Sequence, residues 1–535
     1  MEYNRLSGIL LHPTCFEGTN GIGTIGKKAY DFVDWLKKAN QSLWQILPLG
    51  PTGYGDSPYA SFSTFAGNPL LIDLDLLLEK KWATQDLCKK EDYIKDTGPV
   101  DFGSVVWWKL PVLDRIAKWF LENCAEEDRV LYESFKNDNS SWLDSYANFM
   151  SIKSFYDKKA QEEKLFGIET VWFNYWPKDL SKCDPLAVSK WNSEHTLEIE
   201  IIKVIQFFFF YQWSSLKKYA NDNGVSIIGD IPIFVAADSC DVWANQQLFQ
   251  LDENSIPKNV AGVPPDYFCA TGQLWGNPLY DWNQMKKTNY FWWINRIKHV
   301  LTLVDYIRID HFRGFEAYWS VPFGEETAIN GQWIQGPAHE LFNAINQNLG
   351  KLPLIAEDLG VITEGVKALR DDFNFPGMKV LQFAFDTNEA KQNGMINSFL
   401  PHMYNQNCVC YTGTHDNDTM QGWLEKISDE QLQLVASYAY GKTISIEDSI
   451  VLRNSKQLCQ KLITLAISST ANFVVIPVQD LFAIDNEGRI NEPSTVGKNW
   501  KWRFNSTLLT DEKALELKSI CDLYARNIGN KNEKD

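Results

Sequence analysis

The sequence predicts an α/β protein built as a (β/α)8 barrel, a TIM barrel with long, mainly helical insertions between its strands. Three observations support this fold class: short apolar stretches recur, segments with helical spacing separate them, and several stretches end in acids. Strands that alternate with helices favour a parallel sheet, and eight such units favour a barrel. The eight stretches span residues 7–13, 42–51, 225–235, 301–310, 352–360, 378–386, 409–418 and 471–480.

Two connections between the predicted strands are long enough to carry structure of their own. Residues 75–224 follow the second stretch, and apolar residues recur within them at three- and four-residue spacing, for example over 104–124 and 144–157. This spacing predicts a mainly helical insertion. A second insertion, residues 236–300, contains the Pro-, Gly- and Asn-rich segment 261–282, whose composition favours an ordered loop that could reach a substrate.

Length and charge limit the classes of protein that fit. We expect a single catalytic barrel domain over residues 1–535, with a frayed tail at 529–535. The formal net charge of −17 argues against nucleic acid or an anionic membrane as the main partner. The most apolar run, residues 204–213, is too short to span a bilayer and predicts a buried helix. No secretory signal is visible at the start, so a cytoplasmic location is expected.

Cysteine and glycine patterns give no indication of a cofactor or a metal. The ten cysteines contain no C-x-x-C pair, which argues against a disulfide framework or a structural zinc site. Cys408 and Cys410 alternate within a predicted strand and are expected to be small buried hydrophobic residues. The glycines of residues 50–59 miss the spacing of a phosphate-binding loop.

The fourth stretch ends in the sequence YIRID, which places Arg308 and Asp310 on one face of a strand. Burying a guanidinium and a carboxylate together is unfavourable unless they pair or take part in chemistry. A structural Arg–Asp pair at the strand end is one interpretation. A catalytic carboxylate that Arg308 keeps ionised is the other.

Acids at several strand ends favour the catalytic interpretation, because a barrel places its active site at the carboxyl ends of its strands. Retaining chemistry on glycosidic bonds needs one carboxylate as nucleophile and one carboxylic acid as proton donor. Burial and the neighbouring Asp358 would raise the pKa of Glu357, as a proton donor requires. Helix capping is the alternative role for Glu357 and for Asp416. The acids at strand ends are Asp230, Asp310, Glu357 and Asp416.

Three histidines accompany these acids. His311 and His415 each lie directly beside a carboxylate candidate and could donate hydrogen bonds to sugar hydroxyls. His12 follows the first stretch, and it is as consistent with a structural role as with a ligand contact.

Several longer motifs resemble the 4-α-glucanotransferases of glycoside hydrolase family 77, the amylomaltases and disproportionating enzymes. The resemblance runs from residue 7 to about residue 504 and rests on SGILLHPT, WQILPLGPTGYGDSPYASFSTFAGNPLLID, GDIPIFVAADSCDVW, GVPPDYFCATGQLWGNPLYDW, RIDHFRGF, AEDLG, TGTHDND and RINEPSTVGKNWKWRF. It implies a barrel without a separate C-terminal β-domain. The implied partners are α-1,4-glucans and maltooligosaccharides, for a monomer or weak homodimer that needs no cofactor or metal.

The resemblance also implies roles for individual residues. Asp310 matches the nucleophile, Glu357 the acid/base and Asp416 the stabiliser of the transition state. Cys269 stands where a serine is expected, and the stretch around Asn491 departs from the family's glycine-containing pattern. The expected substrate-binding residues are Tyr59, Asp230, Trp275, Arg308, His311, Asp358, His415 and Asn491.

The acids alone do not separate transfer from hydrolysis. Transfer needs an acceptor site that positions a sugar and excludes water. Tyr54, Tyr59 and the loop with Trp275 are candidates, because aromatic faces stack on sugars. The alternatives are an α-glucan hydrolase, a branching enzyme or a non-catalytic glucan-binding barrel. We expect Trp275 to be exposed, whereas the packing tryptophans are expected to include Trp44, Trp107 and Trp108.

Overall fold

The computed structural model describes residues 5–265, 269–386 and 397–527, except for the side chain of Tyr54. The predictions made for Tyr54 and for the tail at 529–535 lie outside this part. The strands are β1 Leu6–Leu10, β2 Leu43–Gln45, β3 Ser226–Pro232, β4 Asn259–Val263, β5 Gln273–Pro278, β6 Tyr306–Asp310, β7 Ala317–Pro322, β8 Gln332–Gln335, β9 Leu354–Ala356, β10 Gly377–Val380, β11 Cys408–Tyr411 and β12 Phe473–Pro477.

Eight of these strands form one parallel sheet in the order β10-β11-β12-β1-β2-β3-β6-β9, and each matches one predicted stretch. Strand β12, the last strand of the chain, pairs with β1, the first. The two terminal strands of this order meet through a hydrogen bond from Ala356 N to Pro376 O of 2.9 Å. The barrel is therefore nearly closed, which confirms the predicted fold class.

The prediction for residues 301–310 was wrong over its first part. The helix Phe291–Leu303 extends into it, and the strand begins only at Tyr306. Between them, the carboxylate of Asp305 accepts a hydrogen bond of 2.7 Å from the backbone N of Ile227. Short apolar runs do not distinguish a buried helix end from a strand. The second stretch is likewise extended only over Leu43–Gln45.

The residues between β2 and β3 are mainly helical, and the apolar run 204–213 lies inside the 27-residue helix Thr196–Asp222. No helix within the described ranges is long and apolar enough to cross a membrane. The helices are Lys27–Lys38, Leu74–Glu79, Phe102–Asn123, Glu126–Asp138, Leu143–Glu163, Trp172–Tyr175, Lys178–Ser181, Pro185–Glu194, Thr196–Asp222, Cys240–Ala244, Trp282–Lys287, Phe291–Leu303, Ala338–Leu349, Glu364–Asp372, Met420–Lys426, Asp429–Tyr440, Ile446–Asn454, Gln457–Ser468, Val478–Leu481 and Asp511–Leu523.

A second sheet beside the barrel was not predicted. Strands β5, β4, β7 and β8 form it in that order, and all of its pairs are antiparallel. A small apolar cluster of Val260, Val321 and Ala328 packs on it. Segment 261–282, expected to be a loop, contributes much of β4 and all of β5 to this sheet.

Neighbouring tryptophans on the helix Phe102–Asn123 have opposite environments. Trp108 is buried, as expected, whereas Trp107 is 72% exposed, so the packing role predicted for Trp107 was wrong. Successive residues on a helix point about 100° apart, so the two indoles leave the helix in different directions and only Trp108 faces the core. Trp44 is fully buried, as predicted, and so are Cys408 and Cys410.

Candidate active site

The barrel strands β3 and β6 carry a row of three charged side chains. Arg308 Nη1 donates to Asp230 Oδ2 at 2.6 Å, and Arg308 Nη2 lies 2.9 Å from Asp310 Oδ1. Asp230 is opposite Arg308 in the parallel register, which fixes the first contact. Burial alone would lower the pKa of Arg308, but the two carboxylates hold it well above its usual range. The guanidinium therefore stays charged beside the carboxylate of Asp310.

Glu357 directly follows β9 and lies next to the end of β6. The backbone N of His311 donates to Glu357 Oε2 at 2.7 Å, and the backbone N of Leu359 donates to Oε1 at 2.8 Å. His311 adopts a left-handed backbone conformation with φ 55°, which turns its N–H towards the carboxyl group. Desolvation, followed by the charge of Asp310, raises the pKa of Glu357 to about 8. Glu357 is therefore mainly protonated at neutral pH.

Neither Glu357 nor Asp416 caps a helix. The helix Glu364–Asp372 is capped by Thr363, and the helix Met420–Lys426 is capped by Thr419. The alternative role considered for both acids is therefore wrong, since threonine hydroxyls occupy the two cap positions.

Asp358 points away from Glu357, and the structure does not bring it together with the other acids. Its Oδ1 accepts a hydrogen bond of 2.7 Å from the backbone N of Met378, and its Oδ2 pairs with Arg370. These contacts tie β9 to β10, where the sheet order has its two ends. Asp358 thus closes the barrel, and the charge that raises the pKa of Glu357 is that of Asp310.

Asp416 lies on the loop after β11, and residues near the end of the chain hold it. Asn491 Nδ2 donates to Asp416 Oδ1 at 2.6 Å, and His415 Nε2 lies 3.3 Å from the same oxygen. Arg489 Nη2 donates to the backbone O of Asp416 at 2.8 Å, and Arg489 Nη1 pairs with Asp418 at 2.7 Å. The side chain of Asp416 remains 43% exposed, so a ligand can reach it.

Tyr59 connects the two groups of acids. Its hydroxyl donates to Asp230 Oδ2 at 2.9 Å, and its ring stacks on His415 with ring centroids 5.1 Å apart. Behind this stack, His12 is buried and its Nδ1 accepts from the backbone N of Leu47 at 3.2 Å. Burial, with a contribution from His415, lowers the pKa of His12 to about 3. His12 is thus a buried, neutral residue beside the site. Of the two roles considered for it, this agrees with the structural role.

Trp275 lies on β5 and is 38% exposed, as predicted. Its ring meets His311 edge to face, with centroids 4.7 Å apart. Burial lowers the pKa of His311 to about 3, so the imidazole is uncharged at neutral pH. An exposed indole thus lies directly beside the residue that follows Asp310.

Sequence reasoning missed Arg489, Trp500 and Asp480. Trp500 packs on Tyr59 with centroids 6.0 Å apart. Asp480 accepts from the hydroxyl of Thr412 at 2.5 Å and from the backbone N of Met420 at 2.7 Å, and so fixes both ends of the loop with Asp416. Two signals in the sequence could have found two of them: Asp480 is the last residue of the eighth stretch, and Arg489 lies two residues before Asn491.

Within the described residues, no group of three or more His, Cys, Asp or Glu side chains could hold a metal ion. The site is instead built from carboxylates, the guanidiniums of Arg308 and Arg489, and aromatic rings. Paired carboxylates at the carboxyl ends of adjacent strands in a (β/α)8 barrel are the arrangement found in one class of protein, the enzymes that act on glycosidic bonds.

Comparisons with known proteins place the chain within that class. The 4-alpha-glucanotransferase family, glycoside hydrolase family 77, matches residues 11–509. A 4-alpha-glucanotransferase of Thermus thermophilus is 43% identical over 98% of this chain and 100% of its own length. A chloroplastic/amyloplastic 4-alpha-glucanotransferase of Solanum tuberosum is 40% identical over 97% of this chain and 86% of its own.

A solved structure agrees with this placement. Amylomaltase from Streptococcus agalactiae in complex with acarbose matches with a TM-score of 0.87 and 37% identity over 98% of this chain and 99% of that one. The chain belongs to the 4-alpha-glucanotransferase family.

Proposed function

We propose that this protein is a 4-α-glucanotransferase that moves α-1,4-glucan segments from a donor chain to the 4-hydroxyl of an acceptor. The reaction is a retaining double displacement. Asp310 is the nucleophile, Glu357 the general acid and base, and Asp416 the group that stabilises the positively charged transition state.

In the first step Asp310 attacks the anomeric carbon while Glu357 gives its proton to the leaving oxygen. Arg308 holds Oδ1 of Asp310 at 2.9 Å, which leaves the other carboxylate oxygen for the attack. With a pKa of about 8, Glu357 carries the required proton at neutral pH. Asp416, fixed by Asn491 at 2.6 Å, places a negative charge beside the sugar.

In the second step the same groups act in reverse. Once Asp310 is esterified to the sugar it carries no charge, so it no longer raises the pKa of Glu357. Glu357, which gave up its proton in the first step, then stays ionised and takes the proton from the incoming 4-hydroxyl. The loss of the neighbouring charge of Asp310 thus favours the ionised form of Glu357 that the second step needs.

One observation carries this assignment. Arg308 bridges two carboxylates, while the acid on the adjacent strand accepts only backbone hydrogen bonds and has a raised pKa. One carboxylate paired with a cation beside a second, desolvated carboxyl group is the arrangement in which the first acts as nucleophile and the second as acid.

The direct test is incubation of the pure protein with maltotriose, followed by sizing of the products. Glucose together with chains longer than maltotriose establishes transfer. Glucose and maltose alone would replace the proposal with hydrolysis. No reaction would favour a barrel that only binds glucan.

We also propose that Trp275 favours the sugar over water as acceptor, since its exposed ring lies against His311 beside the reacting centre. Replacing Trp275 by Ala should raise the share of hydrolysis among the products of maltotriose. The matched control is Trp107→Ala, which removes an exposed indole from a helix of the insertion. Unchanged product ratios in Trp275→Ala would remove this residue from the acceptor site.

The proposal also covers the other contacts with the glucan, the location of the protein in the cell and its oligomeric state. We assign contacts with the glucan to Tyr59, His311, His415 and the partly exposed carboxylates. Asp230 and Asn491 would act through Arg308 and Asp416, the groups they hold. A cytoplasmic monomer or weak homodimer acting on maltooligosaccharides is the proposed working form.

A further inference from the structure

Two exposed tryptophans lie on the two edge strands of the four-stranded sheet. Trp275 is on β5 and Trp333 is on β8, where it is 40% exposed. Three steps between neighbouring strands separate these edges by roughly 14 Å. Both rings contact the segment that follows Asp310. Trp275 meets His311, and Trp333 covers Arg313, whose guanidinium carbon lies 3.9 Å from the ring centroid.

Trp333 is held in one orientation although it is exposed. One ring face rests on Arg313, which is itself buried. Trp333 also packs edge to face with Trp319, its partner in the strand register, with centroids 5.3 Å apart at 69°. Trp319 is in turn fixed by a hydrogen bond of 2.8 Å from its Nε1 to the backbone O of Ala328. A rigid indole loses little conformational entropy when a ligand covers it.

Contacts through Arg313 connect Trp333 to the loop that follows Glu357. Arg313 Nη1 donates to the backbone O of Val361 at 2.9 Å, and Val361 is an exposed residue four positions after Glu357. Glu357 protonates the leaving oxygen and deprotonates the incoming hydroxyl, so its loop borders the acceptor side of the reacting bond. Trp333 is therefore connected to the loops of both Asp310 and Glu357.

From this arrangement we propose that Trp333, supported by Arg313, forms an acceptor subsite that binds a glucose unit beyond the one that reacts. The inference rests on the proposed transferase function and specifies part of its acceptor site. The ligand is an α-1,4-glucan chain, because the flat indole face matches the apolar face of a glucose ring. Short acceptors do not reach this subsite, whereas longer ones do.

A purely structural role for Trp333 makes a different prediction. If the ring only shields Arg313 from water, its removal disturbs the segment 311–313 and affects all acceptors equally. A subsite makes the effect depend on acceptor length. Acceptor length is therefore the variable that separates the two roles.

The experiment uses α-maltosyl fluoride as the donor, since fluoride leaves without occupying the acceptor side. The C–F bond breaks as Asp310 forms its bond to the anomeric carbon, and fluoride is released. The ester of Asp310 carries no charge, so Glu357 releases its proton to water. The 4-hydroxyl of an acceptor or a water molecule then displaces Asp310 and gives its proton to the ionised Glu357. Fluoride release reports the first step, and the ratio of transfer to hydrolysis products reports the second, for acceptors from glucose to maltopentaose.

The variants are Trp333→Ala, Trp333→Tyr and the control Trp107→Ala, which removes an exposed indole from the helix Phe102–Asn123. For Trp333→Ala we expect unchanged fluoride release and unchanged half-saturation by glucose. Half-saturation by the longest acceptors should require about 2-fold to 10-fold more sugar, the range that one aromatic contact supplies. Trp333→Tyr, which keeps a ring over Arg313, should fall between wild type and Trp333→Ala.

Three results would overturn the inference: no change for any acceptor, an equal change for all acceptors including glucose, or the same change in Trp107→Ala. If Trp333→Ala does not fold, Trp333→Tyr decides by the same length dependence. Failure of the underlying function is distinguishable, because the wild type would then give only hydrolysis products, or no products, with every acceptor.

Discussion

The two sides of the candidate active site are built differently. Asp230, Arg308 and Asp310 lie on adjacent strands, and their contacts follow from the register of a parallel sheet. Asp416 lies on a loop, and side chains from a segment more than 70 residues later in the chain hold it there. We call Asp230, Arg308 and Asp310 the strand side and the loop of Asp416 the loop side. The geometry of the strand side depends on the stability of the barrel, whereas the loop side can move while the barrel stays folded.

The largest expected effect is on the strand side. Asp310→Asn removes the proposed nucleophile while keeping its shape, and it should lower kcat for disproportionation of maltotriose by at least about four orders of magnitude. Product sizing over long incubations measures the loss. Residual activity within about tenfold of wild type would show that another group attacks the anomeric carbon.

Arg308→Met tests how strongly the strand side couples geometry to stability. It leaves two carboxylates without their shared cation, so the free energy of unfolding should fall by about 3–5 kcal/mol. Urea unfolding followed by fluorescence measures this change. The double variant Asp230→Asn/Arg308→Met removes one of the unpaired charges and should recover part of the loss. A double variant no more stable than Arg308→Met would contradict the coupling.

Arg489→Ala tests the loop side. Arg489 contacts the backbone O of Asp416 and the carboxylate of Asp418, and the variant removes both contacts from the loop that carries Asp416. A displacement of about 1 Å reduces rates by roughly 100-fold, so kcat should fall by about that factor. The free energy of unfolding should change by less than about 2 kcal/mol.

The matched control for Arg489→Ala is Lys426→Ala. Lys426 also pairs with Asp418, at 2.8 Å, but it lies on the exposed side of that carboxylate. Its loss should leave kcat nearly unchanged. Equal losses in the two variants would mean that the charge of Asp418, rather than the position of Asp416, limits the rate.

The smallest expected effect concerns pH. Because folding raises the pKa of Glu357 from its usual 4.5 to about 8, the folded state binds more protons than the unfolded state between these values. The contribution of Glu357 to stability is therefore fully present below about pH 4.5 and is lost as the pH rises through 8.

Glu357→Gln does not titrate, so its stability advantage over wild type should grow by about 1–3 kcal/mol between pH 5 and pH 8.5. Thermal unfolding of both proteins across this range measures the difference. A constant difference between them would show that Glu357 is ionised in the folded protein at neutral pH. In wild type the same proton gives kcat/KM a basic limb near pH 8.

The sequence predicted the strand side better than the loop side for a physical reason. An apolar run that ends in an acid indicates a strand with the acid at its carboxyl end. The positions of Asp310 and Glu357 at the carboxyl ends of barrel strands could therefore be predicted from the sequence. The carboxylate of Asp358 has the same local signature as that of Glu357. Only the position of Arg370 and the backbone of Met378 distinguishes them.

Features that depend on distant packing were not predictable in the same way. The four-stranded sheet combines β4 and β5 with β7 and β8, and segment 261–282 carries enough Pro and Gly to favour a loop when considered alone. Trp107 and Trp108 are adjacent and chemically identical, so only the orientation of their helix decides which is buried. The contacts of Arg489 with Asp416 and Asp418 likewise join residues far apart in the chain.

The central claim is that Asp310 attacks the sugar while Glu357 serves as acid and base. The most direct measurement is mass analysis of peptides from Glu357→Gln after reaction with α-maltosyl fluoride. Fluoride needs no proton to leave, whereas the second step needs a base, so a maltosyl ester should accumulate on Asp310. A maltosyl group on the peptide that contains Asp310 is the predicted result. A maltosyl group on another residue, or rapid fluoride release without any adduct, would contradict the account.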